Sequence, residues 1–234
     1  CLDKRTGFAF GGTLLPANFA MNTLKVIFRV PRPWAKYPDE LECILKSTAT
    51  GYSFPSGHST TAGALWGLVY KFSKKTWIKV VAILLIIAVP VSRVYLTAHW
   101  PMDVIVGITL GLIFSILLSK RMYKLYDEPS FGKKAVIITT VTGTIALVTA
   151  ILLEGGALEA LLWKDFMETS IMCSGLFLGA FLEKTNVNFA VPTTWIKKII
   201  GFIFGAVVGV GIWLGIKSIP VFPMIFKCVA YFFI

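Results

Sequence analysis

The sequence predicts an all-α fold, a polytopic transmembrane helical bundle, and three observations carry that prediction. Of 234 residues, 56% are hydrophobic and only 15% charged. Mean hydropathy is +0.76, outside the usual range of a soluble domain. Apolar runs near the roughly 20 residues that a bilayer-spanning helix needs recur between short polar loops.

Taken in order, those runs place helices at 7–28, 59–73, 78–97, 101–119, 134–153, 168–182, 199–216 and 219–234. The first ends ahead of a proline-rich stretch, 31–57, where Pro31, Pro33, Pro38 and Pro55 break helical pattern and predict a long ordered loop. The second begins just after Gly57, in the run Ser-Thr-Thr-Ala-Gly-Ala-Leu. Pro101 lies two residues before Asp103 and fits the first turn of the fourth helix, where a missing amide hydrogen costs nothing. Basic residues separate the remaining runs.

Those basic residues also orient the chain. Lys4 and Arg5, then Lys71, Lys74, Lys75 and Lys79, then Lys120, Arg121, Lys124, Lys133 and Lys134, then Lys184, Lys197 and Lys198 fall on one side if each span crosses once. Cytoplasmic loops carry the positive excess. The expectation is a multi-pass protein of the cell membrane, with the 29–58 loop, the 92–103 turn and the acidic segment 154–168 on the extracytoplasmic side. The formal charge of +11 is accounted for by this topology and by anionic headgroups, so no nucleic-acid partner is expected. Cysteines at 1, 43, 173 and 228 share no metal-ligand spacing. Position 1 is Cys and no signal peptide is evident, so the chain is expected to lack upstream sequence.

Glycines recur four residues apart in Gly63/Gly67, Gly107/Gly111, Gly175/Gly179 and Gly201/Gly205/Gly209. Such spacing lets helices approach closely. Packing within one bundle is the expected reading, with a seam between copies of a homo-oligomer as the other.

Three polar clusters converge at the outward ends of apolar runs. They are Lys25-Val-Ile-Phe-Arg-Val-Pro-Arg32-Pro33, then Pro55-Ser56-Gly57-His58, then Ser92-Arg93 followed by His99 and Asp103. Besides Arg29, to which no role is given, they hold three long cations, hydroxyls, a carboxylate and both histidines of the chain. Arginine offers a planar fork that matches phosphate oxygens and lysine a point charge, so Lys25, Arg32 and Arg93 suit a bound dianion. Ser56 and the amides of Ser56 and Gly57, at a helix start, add donors. His58 stands where it can protonate a departing alkoxide. Asp103, four residues after His99, can hold one ring nitrogen and leave the other free to attack phosphorus.

In order and spacing these clusters resemble the three signature motifs of the type 2 phosphatidic acid phosphatase superfamily. All eleven signature positions are filled: Lys25, Arg32, Pro33, Pro55, Ser56, Gly57, His58, Ser92, Arg93, His99 and Asp103. The resemblance spans about residues 1–125, leaving 126–234 as additional C-terminal helices of unassigned role. It implies that His99 is the nucleophile, Asp103 its partner and His58 the acid for the leaving group. Lys25, Arg32, Ser56, Gly57 and Arg93 would form the phosphate cradle, with no metal and no cofactor. Family members have a six-helix core with the first motif after the third helix. Only one helix precedes Lys25 here, so the first two core helices are expected to be absent from this fragment.

The implied activity is hydrolysis of a membrane lipid phosphate or diphosphate, such as phosphatidic acid, phosphatidylglycerol phosphate or a polyprenyl diphosphate. A phosphotransferase using the same phosphohistidine, or a non-catalytic lipid-phosphate-binding protein, are the alternatives. Each residue also has a plainer reading. Lys25 and Arg32 at a helix end can be snorkelling anchors, and Asp103 can be a helix N-terminal charge. Trp34, Tyr37, Tyr52, Tyr95 and Trp100 fit an aromatic belt at the membrane boundary.

Overall fold

The computed structural model describes residues 3–44, 46, 49, 51–218, 227, 231 and 232; among them helices and loops occur and no strand. The helices are α1 (Lys4–Phe28), α2 (Pro33–Lys36), α3 (Gly57–Phe72), α4 (Thr76–Tyr95), α5 (Pro101–Leu125), α6 (Phe131–Glu154), α7 (Ala160–Leu182) and α8 (Trp195–Ser218), with a π-helical turn at Glu183–Val187 after α7. Five stretches among the described residues are long and apolar enough to cross a membrane: Thr76–Tyr95, Pro101–Leu125, Phe131–Glu154, Ala160–Val187 and Trp195–Ile212. The expected final span, 219–234, lies outside the described residues apart from 227, 231 and 232.

Helix ends differ from the apolar runs for identifiable reasons. Helix α1 begins at Lys4 because Asp3 caps it, its carboxylate accepting from the Thr6 amide at 2.8 Å. Helix α5 continues through Lys120, Arg121 and Lys124, cations that suit the negative end of a helix dipole. Helix α7 starts eight residues before the apolar run at 168. Lys164, Asp165 and Glu168 dilute hydropathy there, while Leu162 and Met167 are buried and hold the turn in place. The long 31–57 loop contains one helical turn, α2, with Pro33 at its first position.

The chain divides into two compact units, Ala9–Met122 and Cys1–Phe8 with Tyr123–Ile234. In the first, α3 and α5 touch backbone to backbone. A β-carbon on Gly63 would lie 2.6 Å from the Ile108 carbonyl oxygen, and one on Gly111 would lie 2.2 Å from that of Thr60. On Gly107 it would meet the Ser56 carbonyl oxygen at 2.6 Å, and on Gly67 the Ser115 hydroxyl at 2.5 Å. These two glycine pairs therefore pack within the bundle. At the other end of the seam the Lys71 ammonium donates to the Ser119 hydroxyl at 2.7 Å, and the Thr61 hydroxyl ties α3 to Asn18 of α1 at 2.9 Å.

In the second unit α6 and α7 pack along Ala146, Ala150, Leu153, Met167 and Ile171, joined by Tyr231. Thr139 and Ser174 exchange hydrogen bonds between their hydroxyls and carbonyls, at 3.3 and 2.9 Å. Phe8 stacks edge-on against Phe131 and Phe177, and Lys4 pairs with Glu183 at 2.6 Å. Helix α8 presents Gly201, Gly205 and Gly209 to open space.

The seam yields a direct prediction. Gly111→Ala forces Thr60 and Ala64 away and lowers stability by about 1–3 kcal/mol or more. Gly205→Ala, which meets none of the described residues within 4 Å, changes it by less than about 1 kcal/mol. Thermal unfolding of both variants in detergent checks the difference.

Candidate active site

The turn that carries the third cluster is set by how α4 ends. The Thr97 amide donates to Val94 at 2.9 Å and the Ala98 amide to Arg93 at 3.1 Å, the paired bonds of a Schellman cap. Thr97 holds the left-handed position with φ 57°, a conformation that a β-branched residue adopts at a cost of about 1–2 kcal/mol. Arg29 repeats the device after α1 with φ 47°. Both caps turn the chain at helix ends bordering the clusters, and neither carries the glycine that would have marked it in the sequence.

His99 follows in that turn, and Asp103 stands in the first turn of α5. Both are almost fully buried, 4% and 2% exposed. The Asp103 Oδ2 atom accepts from the Trp100 amide at 2.8 Å and lies 3.4 Å from His99 Nδ1. Asp103 thus both closes the helix start and faces the imidazole, so the plain and the chemical readings of this residue hold together.

Arg32, 4% exposed, lies against the other ring nitrogen. Its Nε donates to the Gly51 carbonyl at 2.9 Å, and its Nη1 donates to the Ala98 carbonyl at 2.7 Å and lies 3.2 Å from His99 Nε2. A guanidinium can only donate. His99 Nε2 therefore accepts, and the ring proton sits on Nδ1, facing Asp103.

Ser56 is the N-cap of α3. Its buried hydroxyl accepts from the Ser59 amide at 3.4 Å and the Ser59 hydroxyl at 3.0 Å. The expected use of the Ser56 amide as a phosphate donor needs correction, because that N–H is committed to the Asp103 carbonyl at 3.0 Å. The bond joins the second cluster to the third, and Gly57 and His58 supply the amides at the open end of the helix. Pro55 follows a cis peptide bond. A β-carbon on Gly57 would meet Met21 at 3.1 Å, and Pro33 starts α2.

His58 is exposed at the start of α3. Loss of hydration, then the charges of Arg93, His99, Lys25 and Arg32, hold its imidazole down to about 4. His99 is also lowered, chiefly by burial, with Arg32 and Lys25 adding to the effect and Asp103 opposing it. Lys25, in the last turn of α1, and Arg32 thus act on both histidines, while Arg93 acts on His58. The Ser92 hydroxyl donates to the Val89 carbonyl at 2.7 Å and accepts from Arg93 Nε at 3.4 Å. All three sequence clusters meet in the unit Ala9–Met122.

Ser53 lies outside the clusters read from sequence. Its side chain is fully buried, its hydroxyl donates to Asp103 Oδ2 and lies 3.4 Å from His99 Nδ1, and its amide donates to the Val30 carbonyl at 2.7 Å. The only sequence signal was its place two residues before Pro55. Among the described residues no three His, Cys, Asp or Glu side chains gather as a metal site would require.

Comparison with known proteins finds relatives that match part of the chain. The chain is 38% identical over 76 residues to an undecaprenyl-diphosphatase of Sulfolobus acidocaldarius, covering 32% of this chain and 35% of that protein. It is 34% identical over 100 residues to glucose-6-phosphatase 3 of Rattus norvegicus, covering 38% and 29%. It is 29% identical over 107 residues to phosphatidylglycerophosphatase B of Bacillus subtilis, covering 41% and 51%. The chain thus spans about a third of the length of the first two relatives. No solved structure matches it. The description "PAP2 superfamily phosphatase, transmembrane extension" matches residues 167–234. The PAP2 superfamily itself matches residues 6–127, more than half of the chain and all eleven signature positions, and this multi-pass membrane protein belongs to it.

Proposed function

We propose that this protein is a lipid phosphatase that works through a phosphohistidine on His99. The observation that carries the reading is the buried His99 ring, with Asp103 on Nδ1 and an unprotonated Nε2 turned toward Arg32. The unprotonated nitrogen attacks phosphorus in line. A P–N bond forms as the P–O bond to the lipid breaks, and His58 gives its proton to the leaving oxygen. Water then attacks phospho-His99, releasing a proton to His58 while the P–N bond breaks and the ring returns to its starting tautomer. Asp103 offsets the positive charge that the ring carries while phosphorylated. Lys25, Arg32 and Arg93 offset the charge of the phosphoryl oxygens, and the Gly57 and His58 amides add donors at the head of α3.

Support for a lipid substrate comes from the bilayer-length helices and from relatives named for undecaprenyl diphosphate and phosphatidylglycerophosphate. A relative named for glucose 6-phosphate makes a soluble sugar phosphate the comparison substrate. The distribution of Lys and Arg supports a site on the extracytoplasmic face of the cell membrane, which labelling of Lys36→Cys in intact cells with an impermeant maleimide checks.

Phosphate release from phosphatidic acid, phosphatidylglycerol phosphate, a polyprenyl diphosphate and glucose 6-phosphate tests the proposal, with and without EDTA. Release from a lipid that survives EDTA and falls at least about a thousandfold in His99→Ala is the expected result. Release from glucose 6-phosphate alone, or equal release by the variant, overturns it.

The acid limb of kcat/KM provides a second check. His99 attacks only when neutral, and its lowered pKa keeps it neutral at pH 7, so this limb falls below 6.5. His58 must be protonated, yet burial and then the surrounding cations hold it down to about 4. A phosphate dianion reverses the field of the surrounding cations and raises it, so binding takes up protons from solution. Calorimetry of phosphate binding in buffers of different ionisation enthalpy detects that uptake.

A further inference from the structure

We infer that Ser53 is a positioning residue for the nucleophile, fixing through its hydroxyl both the Asp103 carboxylate and the tautomer of His99. The inference rests on the phosphohistidine reading for its kinetic consequence but not for its geometry.

Ser53 is fully buried in the loop that leads into α3, and its hydroxyl touches two members of the site. One hydroxyl proton exists, and it is donated to Asp103 Oδ2. What the oxygen then presents to His99 Nδ1, 3.4 Å away, is a lone pair. Both neighbours of Nδ1, the carboxylate and the hydroxyl, are therefore acceptors. Nδ1 must carry the ring proton, and Nε2 must be the bare nitrogen that meets Arg32 Nη1 at 3.2 Å. Arg32, which can only donate, demands a bare Nε2 from one side of the ring, and the acceptor pair behind Nδ1 demands the same tautomer from the other.

The same serine holds the carboxylate in place. Asp103 Oδ2 already accepts from the Trp100 amide, and the serine proton adds a second fixed donor, so the oxygen stays aimed between ring and backbone. The Ser53 amide meanwhile bonds to the Val30 carbonyl at 2.7 Å, tying the turn that bears Arg32 to the loop that bears Ser56. One residue thus links all three clusters, through its backbone to the first and through its hydroxyl to the third. The two links are separable, because Ser53→Ala removes the hydroxyl and keeps the amide.

Two measurements on Ser53→Ala test the role. With the carboxylate deprived of one donor, its charge favours the imidazolium, so the acid limb of kcat/KM moves to higher pH. In addition kcat falls about tenfold to a hundredfold, with KM changed less than twofold. Independently of activity, the chain has two histidines, so ¹⁵N-histidine NMR resolves the His99 ring once His58→Gln assigns the other. Above the limb, the wild type gives a protonated Nδ1 and a bare Nε2, and Ser53→Ala, with Asp103 and Arg32 still in place, gives signals shifted part of the way toward those of exchanging tautomers. Kinetics and spectra indistinguishable from wild type overturn the proposal. So does a loss of kcat or melting temperature with the pH limb and tautomer unmoved, which is the mark of a merely structural serine. A wild type inactive on every substrate but with the tautomer change present removes the phosphatase reading and leaves Ser53 as the positioning residue.

Discussion

Four glycines bring α3 and α5 together until backbone meets backbone, and the chemistry at the head of the bundle depends on that approach. With Gly107 beneath Ser56 and Ser59, and Gly111 beneath Thr60, the start of α3 reaches the start of α5. Only at that separation can the Ser56 amide donate to the Asp103 carbonyl. A side chain at any of these glycines would drive the two helix starts apart. Since lipid tails are as apolar as leucine, helices in a bilayer gain little from hydrophobicity in associating. Close packing of small residues and a few interhelical hydrogen bonds must supply the adhesion, and the Lys71–Ser119 and Thr61–Asn18 bonds are of that kind.

The second constraint is electrostatic. Three long cations are gathered around two imidazoles, an arrangement that is unfavourable until an anion arrives. Burial first, and those cations after it, hold the pKa of both imidazoles down. Asp103 works against this field on one side of His99 only.

Much of this was legible in the sequence because its signals are local. The apolar runs located the helices to within a few residues at most ends, and Pro101 and Gly57 marked the starts of α5 and α3. The Gly63/Gly67 and Gly107/Gly111 pairs were readable as packing surfaces but not as partners of one another, since spacing within a helix carries no information about the helix opposite. Thr97 and Arg29 were illegible as helix caps because a left-handed residue is recognised by glycine, and these positions hold others. Ser53 was missed for a similar reason. A serine in a polar loop resembles any loop serine until the fold places it between a carboxylate and an imidazole 46 and more residues away. The same limit explains the Ser56 amide, which sequence assigned to phosphate and which the fold uses to hold two clusters together.

The most direct test of the account is to find the phosphoryl group on the enzyme. The protein is turned over briefly on a ³²P-labelled lipid phosphate, quenched in alkali, digested and mapped. The account predicts acid-labile label on the peptide containing His99 and none in His99→Ala. Label on another residue, or turnover with no labelled enzyme at any time point, would contradict it.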